Sequence, residues 1–330
     1  MPIPTQKLPY VEHLELFVNV VAPFVSIYFL FLLRRPVFHL NLRILLAHFT
    51  LGLSGITISR SILLMYIFTS HDEKPTFWMQ VIHDMFVFGL MTASVLMAGE
   101  RIIATLFVDI YENVKGYRIT LAACVVMQSM NFMMSYLGMM WRNDVTVLPD
   151  KTFEFKNPHH RLYIIAEMNA LLAVNLIGFI MFFFIHRYNK RRWTIDLTKK
   201  LSHRYQISEN VRTSRQLFMV LIGDLVITLY LYLVVLYIFT FQRNDFIADV
   251  IAQLLDLSMA IATVIMPMVF ILTNPKLRVQ FLRHFRLGEG SIAWTRKSVS
   301  NKPLVFSLAT EGSVYFKQLA KSWGEYRPPS

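Results

Sequence analysis

Seven runs of about 20 mostly apolar residues are spaced along this chain of 330, and they limit its fold more than any other feature. A hydrocarbon core roughly 30 Å thick is crossed by about 20 helical residues. The runs lie at approximately 15–33, 44–68, 77–101, 118–141, 161–186, 216–241 and 246–273, and the third can be continued as far as Val108. Composition agrees. Apolar residue types make up 55% of the chain and charged types only 16%, against roughly 25% charged in ordinary globular proteins. A water-soluble fold would have too little polar surface to cover so much apolar side chain. The predicted fold is all-α, a seven-helix transmembrane bundle. Pro23 and Pro267 lie well inside spans, where kinks are expected.

Charge gives the orientation. With the N-terminus outside, the cytosolic segments 34–43, 101–118, 187–215 and 274–330 carry 3, 3, 9 and 10 Lys and Arg residues, 25 in all, against seven outside. Without the last segment the ratio is still 15 to seven. Cytosolic loops are enriched in these residues, so the N-terminus is expected outside and the C-terminus in the cytosol. Residues 1–14 hold one Lys and no Arg, and no small-residue cleavage site follows the first run, so an uncleaved first helix is expected. The chain then divides into an extracellular N-terminus (1–14), a membrane domain (15–287) and a polar, Ser-rich cytosolic tail (288–330) read as largely disordered.

The net charge of +12 does not point to nucleic acid, because the basic residues fill gaps between apolar runs instead of one soluble face. The expected partner for that charge is the anionic bilayer surface. Cys124 is the single cysteine, which excludes an intrachain disulfide and a cysteine-rich metal site. Neither a metal nor a cofactor is expected. A membrane enzyme is disfavoured by the lack of a His-rich cluster, Gly-rich loop or paired catalytic carboxylates.

Three motifs lie at the expected cytosolic face. Glu100-Arg101 ends the third run and leads into Ile102-Ile103-Ala104-Thr105, with Tyr111-Glu112 shortly after. An arginine there, held by a carboxylate, has the chemistry of a switch at the mouth of the bundle. Before the sixth run stands a basic block with Arg204-Tyr205-Gln206 followed by Glu209-Asn210. After the seventh run comes Asn274-Pro275, beyond which Leu277, Phe281 and Phe285 repeat at i, i+4 and i+8 among Lys276, Arg278, Arg283 and Arg286. That pattern predicts an amphipathic helix in the headgroup layer.

The first two motifs resemble those of the nematode serpentine chemoreceptors of the Sra superfamily, in particular class epsilon (Sre), and the resemblance spans roughly residues 15–287. It implies a seven-helix receptor in sensory neurons, detection of small chemicals, and signalling through a heterotrimeric G protein. Departures from the rhodopsin-like pattern are plain: one cysteine, and no tyrosine after Asn274-Pro275. An odorant-gated channel subunit is the alternative, but its N-terminus is typically cytosolic. A small transporter would show matched, interrupted helices in two halves.

Ionisable residues inside spans are costly and default to functional roles. Toward the outside lie Arg60, His83, Asp84, Glu167, Asp249, Gln253 and Asp256, the last three at i, i+4 and i+7 on one helix face. Asp84, Glu167, Asp249, Gln253 and Asp256 are the expected ligand-binding residues, with Tyr163, Phe239 and Phe241 as aromatic walls. Internal pairing, such as Arg60 with Asp84, is the competing reading. The excess of these acids over Arg60 leans toward cationic or hydrogen-bonding ligands. Toward the inside lie Glu100, Arg101 and Asp224, where Asp224 is expected to lock Arg101. With Arg191 and Arg192 of the basic loop, these and the Arg204–Asn210 block form the expected coupling surface.

Overall fold

A computed structural model describes residues 8–35, 37–70, 77–107, 116–147, 153–195, 201–241, 246–285, 296–297 and 303–304, of which 9, 70, 147, 153, 193–195, 201–209, 296–297 and 303–304 are described by their backbone alone. Seven long helices appear: α1 (Pro9–Leu33), α2 (Leu40–Ser70), α3 (Phe77–Leu106), α4 (Tyr117–Arg142), α5 (Pro158–Ile195), α6 (Leu201–Phe241) and α7 (Phe246–Thr273). Each is long and apolar enough to cross a membrane. A shorter helix, α8 (Pro275–His284), follows, and β1 (Val145–Val147) pairs antiparallel with β2 (Phe153–Phe155) between α4 and α5.

Every expected span is present, and most extend further. The extra length lies at polar ends that hydropathy does not count. α1 starts six residues before Glu15, where Pro9 takes an N-terminal position whose N–H would be unsatisfied anyway. α6 starts at Leu201, fifteen residues before the sequence-based edge at 216. Both α1 and α7 run through their internal prolines as single helices.

In the membrane domain, α1 packs on α2 and α7, α6 on α5 and α7, and α3 meets α2, α4, α5 and α6. This closes a ring around α3. Burial follows: 61% of the most apolar stretch of α3 is buried, against 17% for α4. α4 presents Ile119, Val125, Val126 and Met133 outward, the character expected of a lipid-facing helix. The core runs through Phe29, Leu46, Phe49, Met91, Phe182 and Phe270, with Phe29 and Phe270 stacked at 5.5 Å. Gly178 lets α5 approach α3 closely, since a Cβ there would lie 2.5 Å from Ser94 Oγ and 2.7 Å from the Val95 amide nitrogen.

α2 satisfies several of its hydroxyls by back-bonding. Thr50 donates to the Leu46 carbonyl (2.6 Å), Ser54 to Thr50 (3.1 Å) and Ser59 to Gly55 (2.6 Å). No hydroxyl among these is left dry in the apolar phase. Arg43 donates to the Arg34 carbonyl at 3.3 Å, satisfying an end group of α1.

Asn274 caps α8 by accepting from the amides of Lys276 (3.0 Å) and Leu277 (3.3 Å). Of the expected amphipathic face, Leu277 is fully buried and Phe281 meets Tyr28 edge-on at 6.0 Å, so this face packs on α1 and the bundle. Phe285 is exposed and Arg286 lies outside the described residues. The chain divides into two compact units, 1–281 and 282–330. In the second unit, beyond α8, the described residues are a two-residue antiparallel pair, Arg296–Lys297 with Pro303–Leu304.

Candidate functional site

The starts of α1, α3, α5 and α7 share one end of the bundle with the ends of α2, α4 and α6. At this end two ion-pair clusters face a cavity of about 190 Å³. In the first, Arg60 of α2 donates Nε to Glu15 Oε1 (2.6 Å) and Nη2 to Glu15 Oε2 (3.4 Å), and Nη2 also to Asp256 Oδ2 of α7. Glu15 is fully buried, and Asn19 Nδ2 reaches it at 3.5 Å. In the second, Arg142, the last residue of α4, donates Nη2 to Asp84 Oδ2 of α3 and Nε to the Gly138 carbonyl (3.3 Å). His83 stands on the wall with Nδ1 3.0 Å from Ser59 Oγ. Buried charges persist only when paired, and each carboxylate on the wall has a guanidinium.

The cavity walls unite two of the expected ligand residues, Asp84 and Asp256, and omit three. Gln253 ties helices together: its Oε1 accepts the Leu8 amide (3.1 Å) and its Nε2 donates to Glu12 (3.3 Å). Asp249 sits in the first turn of α7, where a carboxylate favours the helix dipole. Glu167 lies on α5, outside the wall but within electrostatic reach of Arg142 and Asp84. The expected aromatic walls are also elsewhere. Tyr163 packs on Trp141 at 5.2 Å, Phe239 on Phe155 at 6.0 Å, and Phe241 on Tyr237 at 5.1 Å. The apolar part of the wall is aliphatic, from Ile56, Val87, Leu231, Leu255 and Met259.

Two corrections follow for the charges. Arg60 pairs with Glu15 and Asp256 and not with Asp84, because Arg142 has taken Asp84. Arg142 reads as a loop residue in the sequence, yet the α4 helix carries it to its last turn and into the wall. The supposed excess of acids over Arg60 therefore disappears from the wall, which holds Arg60 and Arg142 against Asp84 and Asp256. Glu15 stands at the sequence-based edge of the first run, where nothing in the hydropathy marks it as buried. The proline at position 9 was the available signal that the helix starts earlier.

At the opposite end, Arg101 grips its neighbour Glu100 through two bonds, Nε to Oε2 at 2.5 Å and Nη2 to Oε1 at 2.6 Å, with both residues buried. Such fork-to-carboxylate pairs are the strong class of charged hydrogen bond. Arg101 Nη1 also donates to Asn210 Oδ1 of α6 at 3.4 Å, and Asn210 Nδ2 donates to the Ala104 carbonyl at 3.3 Å. From α5, Asn189 donates to Thr105 Oγ1 (2.8 Å) and Arg192 Nη1 to the Thr105 carbonyl (3.1 Å). The last carbonyls of α3, which have no partner within their own helix, are thus clamped by α5 and α6.

The expected Arg101–Asp224 lock is not formed. Asp224 is fully buried and accepts from Asn175 Nδ2 at 2.8 Å, and that amide also reaches the Met91 carbonyl (2.9 Å) and Thr228 (3.3 Å). The reason is length. Arg101 meets α6 at Asn210, and Asp224 lies fourteen residues further, about 21 Å at 1.5 Å per residue. Arg192 is a packing partner of α3, whereas Arg191 is exposed. Arg204, Tyr205, Gln206 and Glu209 lie in the first turns of α6, with their side chains outside the description, and Tyr111 and Glu112 lie outside the described residues.

A family model described as Sre G protein-coupled chemoreceptor matches residues 155–324. The match takes in α5 to α8 and most of the tail, reaching beyond the resemblance read at 15–287, and stops short of α1 to α4. No curated protein matches the chain. The family is one of receptors, not enzymes. Seven apolar helices, six of them ringed around α3, and a family match over more than half of its length make this chain a multi-pass membrane protein that belongs to the Sre family of G protein-coupled chemoreceptors.

Proposed function

We propose that the protein is a chemosensory receptor of the plasma membrane, placed in sensory-neuron cilia. It takes a small extracellular chemical into the cavity among α1, α2, α3, α4, α6 and α7, and signals through a heterotrimeric G protein at the other end. The observation that carries this reading is a partly open cavity of mixed polar and apolar lining within an apolar bundle, with charged side chains held at its wall. Small-molecule sites have this character: apolar walls and a few convergent polar groups. Asp84 and Asp256 contact the ligand, while Glu167, Asp249 and Gln253 position the helices that carry them.

The imbalance of 25 Lys and Arg residues against seven supports an external N-terminus, which puts the cavity in the outer half. The cytosolic half then carries the Glu100–Arg101 pair, the Asn210 bridge and exposed basic residues such as Arg187, Lys190 and Arg191. A tag at residue 1 should stain on unpermeabilised cells and one at residue 330 should not. Reverse staining would favour the channel reading. In heterologous cells, a panel of small chemicals should include one that raises calcium or changes cAMP, and the response should vanish when G proteins are removed.

A further inference from the structure

The charge balance of the cavity constrains its occupant. Each guanidinium carries five N–H groups. Arg60 directs Nε and Nη2 at Glu15 and Asp256, and Arg142 directs Nε and Nη2 at the Gly138 carbonyl and Asp84. The Nη1 amino group of each meets no acceptor among the described residues. On the opposite sign, Asp256 has the most open side chain of the four charged wall residues, 32% exposed against 13% for Asp84. It is bonded through Oδ2 alone. The wall therefore offers unspent donors on two cations and an unspent acceptor on an anion, with Glu15 behind Arg60 as a third carboxylate of the cluster.

The geometry points to a small zwitterion as the ligand, an amino acid or a molecule of like chemistry with one carboxylate and one ammonium a few bonds apart. This rests on the cavity being the receptor's ligand site. The carboxylate accepts from Arg142 and Arg60 through their Nη1 groups, and the ammonium donates to Asp256, so no existing ion pair has to break. An amine alone would leave both arginine edges dry, and an acid alone would do the same to Asp256. Each carries the desolvation cost of an unpaired polar group. A wholly apolar odorant would leave all of them unmet. Size sets the other limit, since about 190 Å³ is below the roughly 300–1,000 Å³ of pockets for drug-sized ligands.

The test uses the full-length receptor in lipid nanodiscs and its thermal unfolding. The probes are the common amino acids and small β- and γ-amino acids at millimolar concentration. Each is run beside its decarboxylated amine and its deaminated acid, and a set of neutral ketones, esters and polyols of the same size is included. At least one zwitterion should raise the unfolding temperature, while its amine and its acid should each need at least about tenfold more for the same shift. Arg142→Gln and Asp256→Asn should each raise the concentration for half-maximal shift about tenfold or more. Should Arg142→Gln fold poorly, the analogue comparison on the unaltered receptor still decides. Equal shifts from the amine or the acid, shifts from neutral compounds alone, or none from any zwitterion would overturn the inference. Nucleotide exchange on purified G proteins by the same nanodiscs, without added ligand, tests coupling separately. A receptor that drives exchange but ignores zwitterions sinks this inference and leaves the proposed function standing.

Discussion

Arg60 holds carboxylates from two other helices, and its removal should be the most damaging single change at the cavity. Arg60→Gln leaves Glu15 fully buried without its guanidinium, and breaking such a pair costs about 3–5 kcal/mol. Asp256→Asn should cost less, because Asp256 is partly open to the cavity and Arg60 keeps Glu15. The combined Arg60→Gln and Glu15→Gln variant should recover part of the loss. Thermal unfolding in nanodiscs orders the three, and equal losses in Arg60→Gln and Asp256→Asn would show that Glu15 does not depend on the pair. The sequence marked Arg60, Asp84 and Asp256 by their rarity in apolar runs. It could not tell which partners they choose, since that depends on the helix ends. Moving the start of α1 to Pro9 takes Glu15 inside the bundle, and carrying α4 to Arg142 gives Asp84 a cation.

The helices themselves were legible, because length and hydropathy alone decide what crosses a membrane. Their polar extensions were not, and that is where the Arg101–Asp224 expectation failed. What the extended α6 provides is Asn210, which bridges Arg101 and the Ala104 carbonyl of α3. Any rearrangement that opens this end of α3 to a partner must break the bridge, so Asn210→Ala lowers the cost of opening. A hydrogen bond to a charged group contributes about 1.5–3 kcal/mol. Even a third of that would raise basal nucleotide exchange on purified G protein about two- to fivefold. Asp224→Asn, by contrast, should leave basal exchange unchanged, since its contact is with Asn175. Increased exchange in Asp224→Asn but not in Asn210→Ala would restore the original lock. Packing sets a second test of these elements. Gly178→Leu forces α5 away from the Val95 backbone and should lower surface expression severely, whereas Gly223→Ala, with nothing within 4 Å, should not.

For the whole molecule, the proposed topology assigns 25 of the 33 Lys and Arg residues to segments of the cytosolic end, and this gives coupling an electrostatic component. The basic residues of that end do not all serve it. Arg192 is committed to the Thr105 carbonyl and Arg101 to Glu100, while Arg187, Lys190 and Arg191 are exposed on the last turns of α5. Reversing Lys190 and Arg191 to Glu should therefore weaken signalling at unchanged surface level. Arg192→Glu should instead reduce the surface level, because it places an anion against a carbonyl that needs a donor. Ionic strength separates steering from contact. Surface charges are screened over about 8 Å at physiological salt, so raising salt should slow exchange by the unaltered receptor more than by the Lys190→Glu/Arg191→Glu variant. The same salt slope in both would place the partner on other residues of that face. A loss of surface expression in the double variant would instead make Lys190 and Arg191 part of the fold, as Arg192 is.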